Sequence, residues 1–256
     1  KSITTHNSYV EHIVSNNETK EIIDDNGNIF LAKSIIGADS INGISRKFVI
    51  GSDTKSKQKK IFRAFSFKTS SYQLARNSLQ LIITSIGHFV IYPTIIDKKN
   101  ATNYIFVSAD DKSTPPVIHD KILSYLIPDD INWNTTFSTN SNEENNTIHR
   151  NGVFLVGDAS IAMPPHIAQA GNQTLEDAAF IKKCLQEKND FKQMISMFIK
   201  QRYIKRNIIS KKSRSIGKIL SAQKLMGHFR NLTLKSYGND ILETVLNPIW
   251  TSEINE

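Results

Sequence analysis

The sequence predicts an α/β fold, α+β overall, in which an antiparallel sheet interrupts a partial α/β domain and helices follow. Three observations support this. Residues 8–36 alternate between apolar and polar side chains around a turn, as a strand hairpin does. Residues 57–108 contain further alternating segments, which predict a separate antiparallel sheet. Residues 152–158 form a short apolar run that leads into a helical pattern, so the α/β domain resumes there.

In the first part of the chain, the strands SYVEHIV and NIFLAKSIIGA flank a turn at Asp25-Asn26-Gly27-Asn28. The second of these strands must turn at Gly37-Ala38-Asp39. Residues 57–70, 79–84, 88–95 and 103–108 predict the strands of the middle sheet. The charge-free stretch 77–96 has the length of a membrane span. Its polar residues, its proline and its β-branched residues favour two strands around a turn at residues 85–87 instead.

The last part of the chain predicts a loop, a buried strand and several helices. Residues 138–150 are polar and rich in asparagine, which is typical of a loop. A helix is expected from about residue 172 to residue 185. Its predicted apolar face consists of Leu175, Ala178, Ala179, Ile181 and Leu185. Residues 190–228 predict one or two long amphipathic helices. The expected domains are 1–48 with 141–189, then 49–140, and a basic helical segment 190–256.

The net charge and the cysteine content limit the binding partners and the cellular compartments that fit this sequence. The net charge is +8, and residues 190–235 carry 12 Lys/Arg and one acidic residue. Such a stripe is a solvated helix face or a surface that attracts anions. The single cysteine, Cys184, excludes an internal disulfide and fits a reducing compartment. The polar start at Lys1 is neither a signal nor a transit peptide, and we interpret it as the point where a longer chain has been cut.

Residues 152–181, GVFLVGDASIAMPPHIAQAGNQTLEDAAFI, carry the strongest chemical signal. Gly157 at the end of the apolar strand allows close approach of a ligand to the backbone. Asp158 follows it, and a carboxylate there can accept hydrogen bonds from hydroxyl groups. Pro164 and Pro165 form a wall without main-chain donors. Residues 170–172 begin a helix, whose free N–H groups stabilise negative charge on a ligand.

This segment resembles the second flavin motif of the FAD-dependent aromatic-ring hydroxylases, the p-hydroxybenzoate hydroxylase and salicylate hydroxylase family of flavoprotein monooxygenases. The resemblance implies that Asp158, after Gly157, binds the ribityl chain of FAD and that Pro165 lies against the isoalloxazine. It implies that Ala170, Gly171 and Asn172 present N–H groups to the ring. Residues 1–48 and 141–189 would then form a partial FAD-binding domain.

Two further segments resemble the same family. SIIGADSINGISR, residues 34–46, is similar to its Gly-Ala-Asp-Gly-x-x-Ser-x-x-Arg motif. The similarity implies that Asp39 and Arg46 serve the cofactor. Residues 57–107 resemble its middle sheet, where Arg63, His88 and Tyr92 are candidates for contact with a substrate. A buried aromatic ring and a structural histidine are the alternatives for Tyr92 and His88.

The sequence departs from the family pattern in four places. No GxGxxG pattern follows a strand, so we expect an N-terminal segment with the pyrophosphate half of the flavin site to be missing. Ser40 and Gly43 stand where the motif has glycine and serine. Ile161 replaces a histidine of the pattern. Ala170-Gly171 inverts a Gln-Gly order, which directs a Cβ toward the flavin.

The resemblance implies an FAD-dependent monooxygenase that uses NAD(P)H and O2 to hydroxylate a small aromatic substrate. We expect a cytoplasmic protein without a metal or nucleic-acid partner, and we assign no catalytic residue in this chain. Two alternatives stay open: a non-catalytic remnant, and a protein that binds a membrane surface or a partner through its basic helices. A separate N-terminal segment and a homo-oligomer are further partners to consider.

Overall fold

The computed structural model describes residues 3–16, 19–51, 57–67, 78–109, 114–118, 121–140, 147–187 and 190–250. The chain divides into two compact units. Unit 1 comprises Lys1–Lys57 and Thr139–Arg214, and unit 2 comprises Gln58–Ser138 and Ser215–Glu256. The mixed α/β architecture, with an antiparallel sheet within the α/β part, is the predicted fold class. The domain division expected from the sequence stays a prediction, and it differs from these units in setting residues 190–256 apart.

Unit 1 begins with a three-stranded antiparallel meander of β1 (Val10–Ser15), β2 (Lys20–Asp24) and β3 (Ile29–Ala32). The turn at residues 25–28 joins β2 to β3, and the Asp24 carboxylate holds it by accepting bonds from the N–H groups of Asn26 and Asn28. The hairpin predicted from residues 8–14 and 28–38 is therefore wrong in both strands. Its second strand is divided between β3 and Ile35–Gly37, which belong to different sheets, and its first strand, β1, does not pair with β3. The charged strand Lys20–Asp24 lies between them, because it pairs with both β1 and β3.

A second sheet of unit 1 has the order β10-β11-β4 and positions the motifs. Its strands are β4 (Ile35–Gly37), β10 (His149–Arg150) and β11 (Val153–Leu155). Strands β4 and β11 are parallel, with Gly37 opposite Leu155. The strand predicted over 152–158 is shorter than expected, since Gly157 already begins a helix. Helix α1 (Ile44–Ile50) follows β4.

Helices complete unit 1 after β11. They are α3 (Gly157–Ser160), a 3-10 turn (Pro165–Ile167), α4 (Ala170–Gln186), α5 (Phe191–Phe198), a π turn (Ile199–Tyr203) and α6 (Ile204–Leu220). The predicted apolar side of residues 191–203 is confirmed, because Met194, Phe198 and Tyr203 are buried in a core with Phe154 of β11.

The predicted apolar face of α4 is wrong except at Ile181, which packs against the core. Leu175 is 71% exposed and Leu185 is 60% exposed, whereas the buried positions of this helix are Gln173, Asp177 and Cys184. Two of these three side chains are polar, so counting apolar residues selected the opposite side. The polar positions are buried because they meet arginines of the π turn and α6.

Unit 2 centres on a five-stranded sheet of order β6-β7-β8-β5-β9. Its strands are β5 (Lys57–Ser66), β6 (Gln80–Ile83), β7 (Gly87–Ile96), β8 (Lys99–Ser108) and β9 (Asn134–Asn140), with helices α2 (Lys121–Leu126) and α7 (Lys224–Trp250). Strands β6 and β7 are antiparallel, which confirms two strands over the charge-free stretch. Among the described residues, no helix has the length and apolarity needed to cross a membrane.

The loop expected over residues 138–150 is confirmed only in part. Residues 147–148 are irregular, whereas β9 extends into this range and β10 occupies its end. Residues 141–146 of the predicted loop, like residues 68–70 of the first predicted middle strand, lie outside the described residues.

Candidate functional site

The parallel strands β4 and β11 bring two sequence motifs to one edge of the sheet. The Val156 N–H donates to the Gly37 carbonyl oxygen over 3.0 Å, just beyond the last paired residues. Asp39 follows the end of β4 and Asp158 follows the end of β11. Ligands of α/β sheets gather at the carboxyl ends of parallel strands. The structure therefore places both motifs where a cofactor of such a fold binds.

The Asp39 carboxylate caps helix α1. It accepts a hydrogen bond from the Ser45 N–H over 2.8 Å and another from the Ser45 hydroxyl. Gly43 makes this approach possible, because a Cβ at that position would lie within 2.4 Å of the Asp39 carboxylate atoms. The departure at residue 43 therefore has a structural reason: this chain needs a glycine there and supplies the hydroxyl from Ser45.

Ser40 occupies a position that suits glycine. Its φ of 70° lies in the left-handed region, which side chains with a Cβ adopt at a cost of about 1 kcal/mol. The family pattern has glycine at this position. The substitution is thus tolerated with backbone strain in the turn between β4 and α1.

Arg46 joins the first motif to the second. Its side chain is buried, at 3% exposure, and its guanidinium donates to the main-chain carbonyl oxygens of Ala159 and Ser160. These residues directly follow Asp158 in helix α3. Arg46 therefore holds the segment that carries Asp158. Its expected direct contact with the cofactor stays a prediction.

Asp158 is exposed to solvent, as Asp39 is, but the carboxylate of Asp158 caps none of the described helices. Its side chain is 47% exposed, and Arg206 lies 3.8 Å from one of its oxygens. Partial burial raises the pKa of Asp158, and the charge of Arg206 lowers it only in part. Gly157, with φ of 57°, makes the abrupt change from strand to helix that leaves this carboxylate accessible.

Helix α4 begins beside this edge with unsatisfied donors. The N–H groups of Ala170, Gly171 and Asn172 have no partners within the helix, and the preceding Gln169 gives no side-chain cap. No acidic residue lies in the first turn. Ala170 and Gly171 have ordinary negative φ values, so the inverted order costs no backbone strain. Pro165 is half-buried and begins the 3-10 turn.

A buried network of ion pairs lies next to the segment that carries Asp158. Arg206 is fully buried and donates to the Asp177 carboxylate over 3.0 Å and to the Ile161 carbonyl oxygen over 3.0 Å. Arg202 donates to the other Asp177 oxygen over 3.0 Å and also pairs with Glu176. The network thus connects α4, the π turn and α6 to the loop after Asp158.

Sequence reasoning missed this network. It left open whether the basic stripe is a solvated helix face or a surface that attracts anions. Neither alternative holds for Arg202 and Arg206, which are buried. The available signal was spacing: the arginines lie four residues apart, and so do Gln173 and Asp177, so each pair shares one helix face.

The electrostatics of Glu176 follow from its partners. Burial acts to raise the pKa of Glu176, but the hydrogen bond from Lys205 and the charges of Arg202 and Lys205 together lower the pKa below its ordinary value. The Lys205 ammonium lies 2.8 Å from the Glu176 carboxylate. Glu176 is therefore ionised at neutral pH and acts as a structural counter-ion.

The three candidate substrate residues share one face of the sheet in unit 2. Tyr92 lies opposite Asn103 across β7 and β8, and Arg63 lies opposite Ile105, two residues further along β8. His88 is four residues before Tyr92 on β7, so it lies on the same face. Arg63 donates through Nε to the side-chain amide oxygen Oδ1 of Asn103 over 2.9 Å. His88 is buried, whereas Arg63 is exposed.

Comparison with known proteins places this fold. The model of a family described as an FAD binding domain matches residues 2–188. Salicylate hydroxylase in a substrate complex is 18% identical with a TM-score of 0.72, over 98% of this chain and 69% of that one. The 2,6-dihydroxypyridine-3-hydroxylase from Arthrobacter nicotinovorans is 14% identical with a TM-score of 0.68, over 84% of this chain and 64% of that one.

A third similar structure is HpxO of Klebsiella pneumoniae, complexed with FAD and uric acid. It is 14% identical with a TM-score of 0.66, over 93% of this chain and 66% of that chain. This chain thus spans about two thirds of the length of these proteins. At such identities the similarity shows a shared fold. No curated protein matches the sequence.

The family match covers most of the chain, and it includes both motifs at the carboxyl edge of β4 and β11. The neighbouring folds are those of aromatic hydroxylases. The chain therefore belongs to the family described as an FAD binding domain, and its fold is shared with FAD-dependent aromatic hydroxylases.

Proposed function

We propose that this chain holds the ribityl and ring portion of FAD at the edge formed by Asp158, Pro165 and the start of α4. The observation that carries the proposal is the half-exposed Asp158 carboxylate beside an uncapped helix start. In this assignment Asp158 accepts hydrogen bonds from ribityl hydroxyls. The N–H groups of residues 170–172 and the positive end of the helix dipole stabilise negative charge on the ring.

The residues present fit such a group. Gly171 has open space where a Cβ would lie, with no atom within 4 Å, so a planar ring can approach the backbone there. The first turn of α4 carries no acidic side chain that would repel negative charge. Arg46 and Arg206 fix the segment between Asp158 and Ile161 from the protein side.

We further propose that the whole protein is a monooxygenase that uses NAD(P)H and O2 to hydroxylate a small aromatic substrate. FAD supplies the redox and oxygen chemistry in this assignment. The contribution of this chain is to orient the ring and to lower the free energy of its charged form. The face of Arg63, His88 and Tyr92 is the proposed substrate side of the sheet, with Arg63 as its exposed cation.

The glycine-rich GxGxxG pattern does not occur in this sequence. That pattern cradles the pyrophosphate of dinucleotides, so we expect this chain alone to bind FAD weakly or not at all. The test compares flavin absorbance of the purified chain with that of the chain fused to a glycine-rich dinucleotide-binding segment. We expect flavin in the fusion only. If the purified chain carries stoichiometric flavin without the added segment, FAD binding does not need a separate glycine-rich half, and the proposed division of the flavin site is wrong.

The aromatic hydroxylase assignment has its own test. The flavin-loaded fusion is mixed with NADH or NADPH and a panel of hydroxylated and carboxylated benzoates. We expect an aromatic substrate to accelerate reduced-nucleotide oxidation and to yield a hydroxylated product. A fusion that holds flavin but never yields product supports the non-catalytic alternative.

A further inference from the structure

A cavity lies at the other end of the β4–β11 sheet, away from the proposed flavin edge. It has a volume of about 610 Å³, and Ser34 and Gly152, which come just before β4 and β11, contribute to its lining. Asp39 and Asp158 come after the same strands. Since each strand has three residues, the two ends are about 10 Å apart. The cavity is therefore separate from the flavin edge within unit 1.

The described residues that line this cavity give it a positive charge. They include Lys20, Lys33, Lys192 and His149, and none of them carries a carboxylate. The lysines come from three separate elements, namely β2, the β3–β4 connection and α5. The folded chain, rather than a local sequence run, thus concentrates three ammonium groups around one concave space.

Among the three lysines of this cavity, Lys20 is the buried one. Its residue is 94% buried, since only 6% of its surface is exposed, and its side chain lies across Gly152. A Cβ at Gly152 would lie 2.6 Å from the Lys20 Cε, so this glycine leaves the space in which the lysine lies. Within the described part of the chain, no side chain or carbonyl group bonds to the Lys20 ammonium.

The Lys20 ammonium lines the cavity, and none of the described lining residues offers it a carboxylate, so a bound anion can pair with it. The hydroxyl group of Ser34 adds a neutral donor to the lining. Phe191 and Ile195 form an apolar wall of the same cavity. The volume lies in the range of small-molecule sites and exceeds that needed by one inorganic anion.

We propose that this cavity binds a phosphate monoester of a small molecule, whose phosphate contacts Lys20, Lys33 and Lys192 and whose organic part contacts Phe191. The three ammonium groups supply charge-assisted hydrogen bonds to the phosphate oxygens. The site is independent of the flavin edge.

The test measures binding of inorganic phosphate, AMP and adenosine to the purified chain by calorimetry at constant ionic strength. We expect phosphate and AMP to bind, AMP more tightly, and adenosine not to bind. Lys20→Met keeps the apolar stem and removes the charge, and it should weaken phosphate binding about tenfold or more. Lys200 is an exposed lysine outside the cavity. The control variant Lys200→Met therefore removes the same charge and should leave phosphate binding unchanged.

Two more variants keep the outcome decisive. If Lys20→Met does not fold, the double variant Lys33→Met/Lys192→Met removes exposed lysines of the same cavity and must give the same loss. Phe191→Leu should reduce AMP affinity toward that of phosphate. Asp158→Ala should not change phosphate binding. A failure of the phosphate proposal is therefore distinguishable from a failure of the flavin proposal. Absence of phosphate and AMP binding, or an equal loss in Lys200→Met, overturns the proposal.

Discussion

The guanidinium of Arg46 donates a hydrogen bond to the main-chain carbonyl oxygen of Ala159, a residue 113 positions away in sequence. Ala159 is the residue after Asp158. A side chain of the first motif thus fixes the backbone of the second. Asp39 takes part indirectly, because it caps the helix that carries Arg46.

Replacing Arg46 with methionine tests this connection. The variant keeps the apolar stem but leaves the carbonyl oxygens of Ala159 and Ser160 without their donor. We expect the free energy of unfolding to fall by about 2–4 kcal/mol, measured by urea denaturation. Lys47→Met, an exposed neighbour on α1, is the control and should change stability by less than about 0.5 kcal/mol. Equal stability of Arg46→Met and the parent chain contradicts the assigned role.

The parts of the fold that the sequence predicted are those whose signals are local. The two strands over residues 77–96 and the apolar side of residues 191–203 follow from short-range patterns of apolar residues. The motif around Gly157 and Asp158 likewise depends on neighbours in sequence. Each of these features is set by side chains within one or two elements.

The features that sequence reasoning missed depend on contacts between distant elements. The buried face of α4 is polar because Asp177 meets Arg202 and Arg206 of later helical segments. A hydrophobic pattern cannot indicate such a face, since it counts buried charges as exposed. The first hairpin was misassigned for a related reason, because the charges in Lys20–Asp24 concealed a strand that pairs on both sides.

The Asp177–Arg206 pair gives a second prediction. Asp177→Ala removes a counter-ion shared by two buried arginines, and we expect a loss of about 3–5 kcal/mol in the free energy of unfolding. The double variant Asp177→Ala/Arg206→Met removes both charges and should lose less than the sum of the losses in Asp177→Ala and Arg206→Met. Urea denaturation of the four proteins gives the coupling energy. Additive losses show that the pair makes no specific contribution.

Glu176 predicts a dependence of stability on pH. Its pKa in the folded state lies below the ordinary value of 4.5. The unfolded chain therefore binds the proton more readily, so ionised Glu176 stabilises the fold above that pH. This contribution is lost as the pH falls through the folded pKa. We expect Glu176→Gln to be less stable than the parent at neutral pH and the difference to close as the pH falls below 4.5 and through the folded-state pKa of Glu176. A constant difference over that range contradicts the assignment.

Ser40 offers a stabilising substitution. Because its φ is 70°, glycine relieves strain in the folded state while it increases the entropy of the unfolded chain. We expect Ser40→Gly to raise the free energy of unfolding by about 0.5 kcal/mol. Ser40→Ala removes the same hydroxyl but keeps the Cβ, so it should give no stabilisation. Equal effects of the two variants place the cause in the hydroxyl group instead of the backbone.

The flavin assignment is tested by comparing the two carboxylates of the edge in the chain fused to a glycine-rich segment. Asp39 is engaged in capping α1, so Asp39→Ala should cost about 1 kcal/mol of stability and affect FAD only through the position of Arg46. Asp158 is half-exposed, and its one ion pair with a described residue is the 3.8 Å contact with Arg206. Its oxygens are free to accept hydroxyl groups of the cofactor. Each such charge-assisted bond contributes about 1.5–3 kcal/mol, so Asp158→Ala should weaken FAD binding about tenfold or more. FAD dissociation, followed by fluorescence, measures both variants. If Asp158→Ala retains FAD as the parent does while Asp39→Ala does not, the cofactor contact lies in the first motif and the assignment of residues 152–181 fails.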